Sequence, residues 1–480
     1  MVTSLQSLSA GFPRAQPGKR PARRLLHAAI LLAGYARPAG GAALATEDAL
    51  AGWEVVWMAP FLSGGGYSSE AISFVLELAR LVPQLRIAQF AEPQSDAFVD
   101  GLSDAQYAAL ASIAQRPTAA GARTLAICHS TPDVWVPSRY PGWDETAPCP
   151  PPHAEIAVGR TMYESDRLPA DWAARCSRMD ETWVPTEFHR ESFARSGVER
   201  AKLHVVGEPV DVELFDPART TPLDLRAATG RGPLASASGK GAAGGGGEGR
   251  GGRPFVFLSV FKWEARKGWD VLLAAFLREF HADEGVELVL KTSRFHSDAS
   301  IQQRVASFTR ELGLAEGSAA PVHVLELELA LSELPRLYRA VDAFVLPSRG
   351  EGWGRPHAEA MAMGLPAIAT KWSGPTAFMD ERNSFPVRVA ALVPVQTDDA
   401  ALRAEGHLWA QPDEAHLRAQ MRFVYEHPEL AAVRGRAARA DMVARFSPRV
   451  VGEAVRERLR QLAAAAGAAA PASWASRDEL

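Results

Sequence analysis

Pro347-Ser348-Arg349-Gly350-Glu351-Gly352-Trp353-Gly354-Arg355-Pro356-His357-Ala358-Glu359-Ala360-Met361-Ala362-Met363-Gly364-Leu365-Pro366 follows the apolar run Ala343 to Leu346 and precedes Ala367-Ile368-Ala369. The first run reads as a buried strand, Pro356 to Met363 as a helix and the last run as the next strand. The loop between strand and helix therefore lies at the carboxyl edge of a parallel sheet, where doubly wound folds bind ligands. Gly350, Gly352 and Gly354 allow the backbone to approach a ligand closely and to present its N–H groups. The helix start that follows favours an anion such as a diphosphate. Glu351 falls in the loop and Glu359 inside the helix. One carboxylate can accept hydrogen bonds from sugar hydroxyls while the other reaches a ribose.

The same alternation extends in both directions. Upstream, Pro254 to Val260 reads as a strand, Trp269 to Phe280 as a helix and Val286 to Lys291 as a strand. Ile301 to Leu314 then reads as a helix, Val322 to Leu325 as a strand and Ser332 to Ala340 as a helix. The first half opens with a strand pattern at Trp53 to Pro60, the glycine loop Gly64-Gly65-Gly66 and a helix over Ser68 to Leu81. Further strands are predicted at Leu85 to Phe90, Thr124 to Cys128, Glu181 to Val184 and Leu203 to Val206. Strands alternating with helices of this length predict parallel sheets covered on both faces. The fold class is α/β, with two Rossmann-like doubly wound domains facing a cleft.

The boundaries follow from composition. Residues 229–253 contain Gly244 to Gly247 and almost no bulky apolar side chain, which reads as a disordered linker or insert. It separates a domain over 46–228 from one over 254–425, and the helical pattern of 426–464 can cross back to the first domain. With 47% hydrophobic and 22% charged residues the chain has a globular composition. A net charge of −4 without a basic stripe gives no reason to expect nucleic acid as partner. Cys128, Cys149 and Cys176 cannot build a disulfide framework, although one bridge can form. The expectation is three ordinary buried or half-buried thiols.

The quoted stretch resembles the E-x7-E signature of retaining GT-B glycosyltransferases of group 1, which include sucrose synthases and bacterial mannosyltransferases. The continuation Glu359-Ala360-Met361-Ala362-Met363-Gly364-Leu365-Pro366 resembles it too. The resemblance covers roughly Gly52 to Asp216 and Pro254 to Arg460, most strongly in the second half. It implies that Glu359 holds the nucleotide ribose and that Glu351 lies beside the transferred sugar, with Gly352, Trp353 and Gly354 at the donor. In this group a basic pair five residues apart neutralises the donor diphosphate, and Lys262 and Lys267 have that spacing. The usual first member is Arg within Gly-Arg-Leu, so Phe261-Lys262-Trp263 departs from the pattern. Gly65 and Gly66 resemble the flexible loop near diphosphate and acceptor. His129, after a predicted strand, is expected to face the cleft and touch the donor sugar. Tyr163, Glu164, Asp166 and Glu187-Phe188-His189 look typical of this branch but receive no role.

The resemblance implies sugar transfer from a nucleoside-diphosphate sugar with retention of configuration, to a carbohydrate, lipid or glycoprotein acceptor. The chain contains no Asp-x-Asp motif, so metal-independent activity with no cofactor is expected. Two other readings share the cleft: a GT-B sugar phosphorylase, and a non-catalytic carbohydrate-binding or chaperone-like protein. The ends suggest an address. Residues 1–45 combine Arg14 to Arg24, the apolar run Leu25 to Ala36 and Ala43-Leu44-Ala45, as a secretory signal peptide does. That run is too short for a stable transmembrane span, and an organelle transit peptide is the alternative. The tail 465–480 closes on Arg477-Asp478-Glu479-Leu480, close to a signal read by the retention receptor of the endoplasmic reticulum. The expected compartment is that lumen, with a plastid as the alternative.

Overall fold

The computed structural model describes residues 49–136, 148–229, 253–293, 300–315, 317–327, 329–396 and 406–467. The proposed leader, most of the glycine-rich insert and the C-terminal tetrapeptide lie outside the described residues.

The first domain is a six-stranded parallel sheet built from β1 (Trp53–Ala59), β2 (Leu85–Gln89), β3 (Arg123–His129), β4 (Ile156–Arg160), β5 (Glu181–Val184) and β6 (Leu203–Val205). Its strand order is β2-β1-β3-β4-β5-β6. The chain moves outward from β1 to β2, then returns to the other side of β1 at β3. The carboxyl ends of β1 and β3 therefore border a crevice. The sequence reading missed β4, whose Ala157, Gly159 and Arg160 dilute the apolar signal. Trp135 explains the glycine, because a Cβ at Gly159 would stand 2.4 Å from that indole.

The second domain repeats the plan with β7 (Phe255–Lys262), β8 (Val286–Ser293), β9 (Val322–Leu325), β10 (Ala343–Leu346), β11 (Ala367–Thr370) and β12 (Phe385–Val387). The order β12-β11-β10-β7-β8-β9 puts the reversal between β7 and β10, all strands being parallel. Both sheet interiors are near-continuous apolar runs, as sheets covered on two faces require. An antiparallel hairpin of β13 (Val389–Pro394) and β14 (Leu408–Pro412) lies beside this sheet.

The C-terminal pattern resolves into helices Glu414–Glu426, Pro428–Phe446 and Pro448–Gly467, each break falling at a proline. The last of them leaves the second domain and packs on the first, where Val451, Val455, Leu459 and Ala463 join the core around Trp57 and Leu78. Gly452 permits the approach, since a Cβ there would meet Glu77 and Leu81 at 3.2 Å. Arg458 holds the crossing by pairing with Glu181 and with His204. None of the described helices is long and apolar enough to cross a membrane.

The cysteines depart from the expectation of free thiols. Cys128 and Cys149 form a disulfide with a Cα–Cα distance of 5.7 Å, and Cys176 is free and buried. Twenty-one positions separate the pair, and the approach of the segment near Cys149 to the end of β3 arises from the tertiary path of the chain.

Candidate functional site

The two loops at the reversal point of the second sheet carry the expected residues and are stapled together. Arg349 donates through Nη1 to the carbonyl of Ala265 at 2.6 Å and pairs with Asp270 at 2.6 Å. Its backbone N–H donates to the carbonyl of Arg266 at 2.6 Å. Gly268 has a φ of +63° and has no room for a Cβ, which would stand 2.1 Å from the carbonyl of Pro347. The loop after β7 thus lies directly on the loop after β10.

Glu351 sits at that junction with its side chain 6% exposed. Both of its oxygens accept from Lys267 Nζ at 2.8 Å, and Oε2 accepts from Arg266 Nη1 at 3.3 Å. Burial alone would raise its pKa, but the charges of Lys267 and Arg266 outweigh that effect and hold it at about 2. The Glu351 N–H donates to Ser373 Oγ at 2.9 Å. Ser373 adopts a left-handed φ of +57°, strain that its contacts around this loop sustain.

Glu359 lies inside the helix Arg355–Ala362, as its spacing predicts, and accepts from the Tyr338 hydroxyl at 3.0 Å. Burial raises the pKa of Glu359, partly opposed by Arg355 and by the Tyr338 hydrogen bond. The helix opens at Gly354, whose φ of +100° requires glycine and which carries no side-chain cap.

Several expected site residues take other positions. Lys267 lies against Glu351, while Lys262 ends β7 with its side chain exposed, so the two lysines are not equivalent cations. Trp353 is buried rather than ligand-facing: its ring packs 4.8 Å from Phe378 and 5.1 Å from Phe446. The apolar cost of exposing an indole drives it into the core. A Cβ at Gly350 would stand 2.1 Å from the carbonyl of Glu164. At Gly352 the clash would be with Met162 Sδ at 2.0 Å. These two glycines admit the first domain.

His129 ends β3 and is fully buried. Its Nδ1 accepts from the Trp57 indole N–H at 3.1 Å, which assigns the ring proton to Nε2, 3.1 Å from Glu70. Burial lowers the His129 pKa against the opposing pull of Glu70, leaving a neutral ring. Glu70 also accepts from Arg160 Nη2 at 2.6 Å and Nε at 2.8 Å. Gly65 caps the helix Gly66–Leu81, and its missing Cβ leaves room for the Glu92 carboxylate at 3.0 Å. The helix begins without a side-chain cap, so the N–H groups after Gly65 and Gly66 are open to a ligand.

Arg266, Ser373 and Tyr338 join the site without having been singled out in the sequence. The run Arg266-Lys267 before Gly268 was visible, yet a basic residue before a helix is usually solvated, and nothing local distinguished Arg266. Among the described residues no group of three or more His, Cys, Asp or Glu is arranged to hold a metal ion.

Residues 252–408 match the family described as Glycosyl transferases group 1. The chain is 26% identical over 231 residues to D-inositol 3-phosphate glycosyltransferase of Segniliparus rotundus, covering 47% of this chain and 42% of that protein. It is 30% identical over 122 residues to mannosylfructose-phosphate synthase of Agrobacterium fabrum, covering 25% and 26% of the two chains. The chain thus spans less than half the length of these curated relatives. Among solved structures, Anabaena HepE in complex with UDP and glucose is similar with a TM-score of 0.58 at 14% identity, over 85% of this chain and 100% of HepE. Sucrose-phosphate synthase of Thermosynechococcus elongatus is similar with a TM-score of 0.51 at 17% identity, over 86% and 100%. At those identities the likeness establishes the GT-B fold.

Proposed function

With residues 252–408 matching the group 1 glycosyl transferases, we propose that the chain transfers a sugar, with retention of configuration, from a nucleoside-diphosphate sugar. The observation that carries the reading is the buried Glu351, clamped by Lys267 and Arg266 at the reversal point of the second sheet. Glu359 stands eight positions on, inside the adjoining helix. A preformed, water-poor cluster of this kind stabilises charge developing on a leaving diphosphate. In this reading Glu351 orients the transferred sugar, Glu359 and Tyr338 receive the nucleoside, and the open N-termini after Gly65-Gly66 and Gly354 receive phosphate oxygens. Lys262, exposed at the mouth, adds a further cation. His129 acts indirectly, by fixing Glu70 and Arg160 beneath the glycine loop.

Transfer proceeds without a metal in this proposal. HepE is described as binding UDP and UDP-glucose, which makes uridine nucleotides the first donors to try. The buried disulfide supports an oxidising compartment, in keeping with a lumenal address read by a retention receptor. A carbohydrate, lipid or glycoprotein acceptor fits that compartment.

The test is thermal stabilisation of residues 46–480 by UDP-, GDP- and ADP-sugars, each with and without EDTA. Stabilisation by one nucleotide class, insensitive to EDTA and lost in Glu359→Ala, is the expected result. No stabilisation by any of them would overturn the reading.

A further inference from the structure

The segment Thr161–Asp166 leaves β4 of the first domain and crosses to the second. At its start the Tyr67 hydroxyl lies 3.2 Å from Thr161 Oγ1. At its end Asp166 N–H donates to the Leu408 carbonyl at 2.9 Å, and Asp166 Oδ1 accepts from the Leu408 N–H at 2.7 Å. Ser165 Oγ lies 3.1 Å from His407 Nδ1. Between these anchors the Glu164 carbonyl rests on Gly350 and the Met162 side chain on Gly352, both positions where a Cβ would collide. The strap holds Glu164 directly over the loop that carries Glu351.

Three carboxylates surround Arg266. Glu264 meets Nη2 at 2.8 Å, and Nη1 faces Glu351 at 3.3 Å and Glu164 at 3.4 Å. Nη1 also donates to the Gly350 carbonyl at 2.8 Å. Glu264 belongs to the same loop as Arg266, and Glu351 is shared with Lys267. Glu164 differs from both. It comes from the other domain, its contact is the longest, and its side chain is the most exposed of the three, at 29% against 19% and 6%. Glu164 is thus the one partner that can leave while the second domain keeps its arrangement, and because its charge acts on Arg266 more strongly than that of Glu264 or Glu351, only an anion of higher charge displaces it.

We propose that Arg266 takes up the donor diphosphate and that Glu164 occupies this place until the diphosphate arrives. The inference rests on the donor reading above. A diphosphate offers more charge and more acceptor oxygens to the guanidinium fork than one carboxylate does. Lys267 Nζ already gives two contacts to Glu351, which leaves it a single N–H for a diphosphate. The exchange links donor occupancy to the strap, and through Tyr67 and Leu408 to the glycine-loop helix and the β13–β14 hairpin.

Isothermal titration of the protein with UDP, GDP and ADP, comparing wild type with Glu164→Gln, Glu164→Ala and Glu264→Gln, tests this. A site filled by its own carboxylate nine-tenths of the time binds its ligand about tenfold more weakly than an open one. Both Glu164 variants are therefore expected to bind the nucleotide about tenfold more tightly than wild type, with Glu264→Gln gaining less. Unchanged or weaker binding in the Glu164 variants overturns the exchange. An equal gain in Glu264→Gln also overturns it, reducing the effect to plain charge. Absence of nucleotide binding in every form, wild type included, overturns the donor reading itself, an outcome distinct from equal binding by wild type and variants.

Discussion

Lys267 Nζ lies 2.8 Å from each of the two carboxylate oxygens of Glu351, across 84 positions of sequence. That one contact joins the loop after β7 to the loop after β10 and fixes the charge state of the residue expected beside the transferred sugar. Its energetics are testable through acid stability.

Glu351 has a folded-state pKa of about 2 against an ordinary value of 4.5. A depressed carboxylate contributes stability that is complete above its unfolded pKa and is lost as pH falls through the folded value. The contribution is on the order of 3 kcal/mol, from about 1.4 kcal/mol per pH unit. Lys267→Met should destabilise the protein at neutral pH by roughly 3 kcal/mol, because it strips a partner from a buried charge. It should also flatten the fall in stability between about pH 4.5 and pH 2. Urea titrations at a series of pH values would show this, and parallel curves for the two proteins would refute it.

Glu208 titrates in the opposite sense. It is buried in the segment joining the domains, 3.5 Å from Arg355, and burial together with the charge of Glu70 pushes its pKa up to about 8. The folded state then binds more protons than the unfolded one between about pH 4.5 and pH 8, so stability falls as pH rises through that window. Glu208→Gln removes this loss. Its Tm relative to wild type should improve steadily on going from pH 5 to pH 9, and a difference independent of pH would contradict the assignment.

Trp353 supplies a test of core against ligand contact. Trp353→Ala should lower stability by about 3–5 kcal/mol, the usual effect of emptying a large buried site. Trp353→Phe should recover much of that through its contacts with Phe378 and Phe446 while keeping nucleotide binding. A Trp353→Phe protein of full stability that no longer binds nucleotide would return this residue to the donor site.

The Cys128–Cys149 bridge closes a loop over a sequence separation of 21. Opening a loop of this size removes about 3 kcal/mol in the chain-entropy account. Cys149→Ser, or reduction of the wild type by dithiothreitol, should lower the Tm to a similar extent. A wild-type Tm indifferent to reductant would exclude a bridge in solution.

The second domain was more legible than the first because its strands are continuous apolar runs separated by helices of clear periodicity. Phe255–Lys262 and Ala343–Leu346 announce themselves in this way. In the first domain β4 was hidden by Gly159 and Arg160, residues chosen by contacts far away in sequence: Trp135 for the glycine and Glu70 for the arginine. The hairpin residues Val389–Pro394 and Leu408–Pro412 were missed as strands because half of that surface is exposed and the apolar alternation is weak.

The two alternating α/β halves, the loop at a sheet's carboxyl edge and the placing of Glu351 in that loop and Glu359 in its helix are legible in the order of residues alone. These are properties of stretches about twenty residues long, where backbone periodicity and glycine placement act locally. That Lys267 clamps Glu351, that Trp353 turns inward, that His129 answers to Glu70 and Trp57, and that Glu164 reaches Arg266 from the other domain emerges in the folded chain alone. Those pairings depend on strand order and domain docking, which bring together loops scores of residues apart. A charged or aromatic side chain carries no local mark of the partner that burial will require it to find.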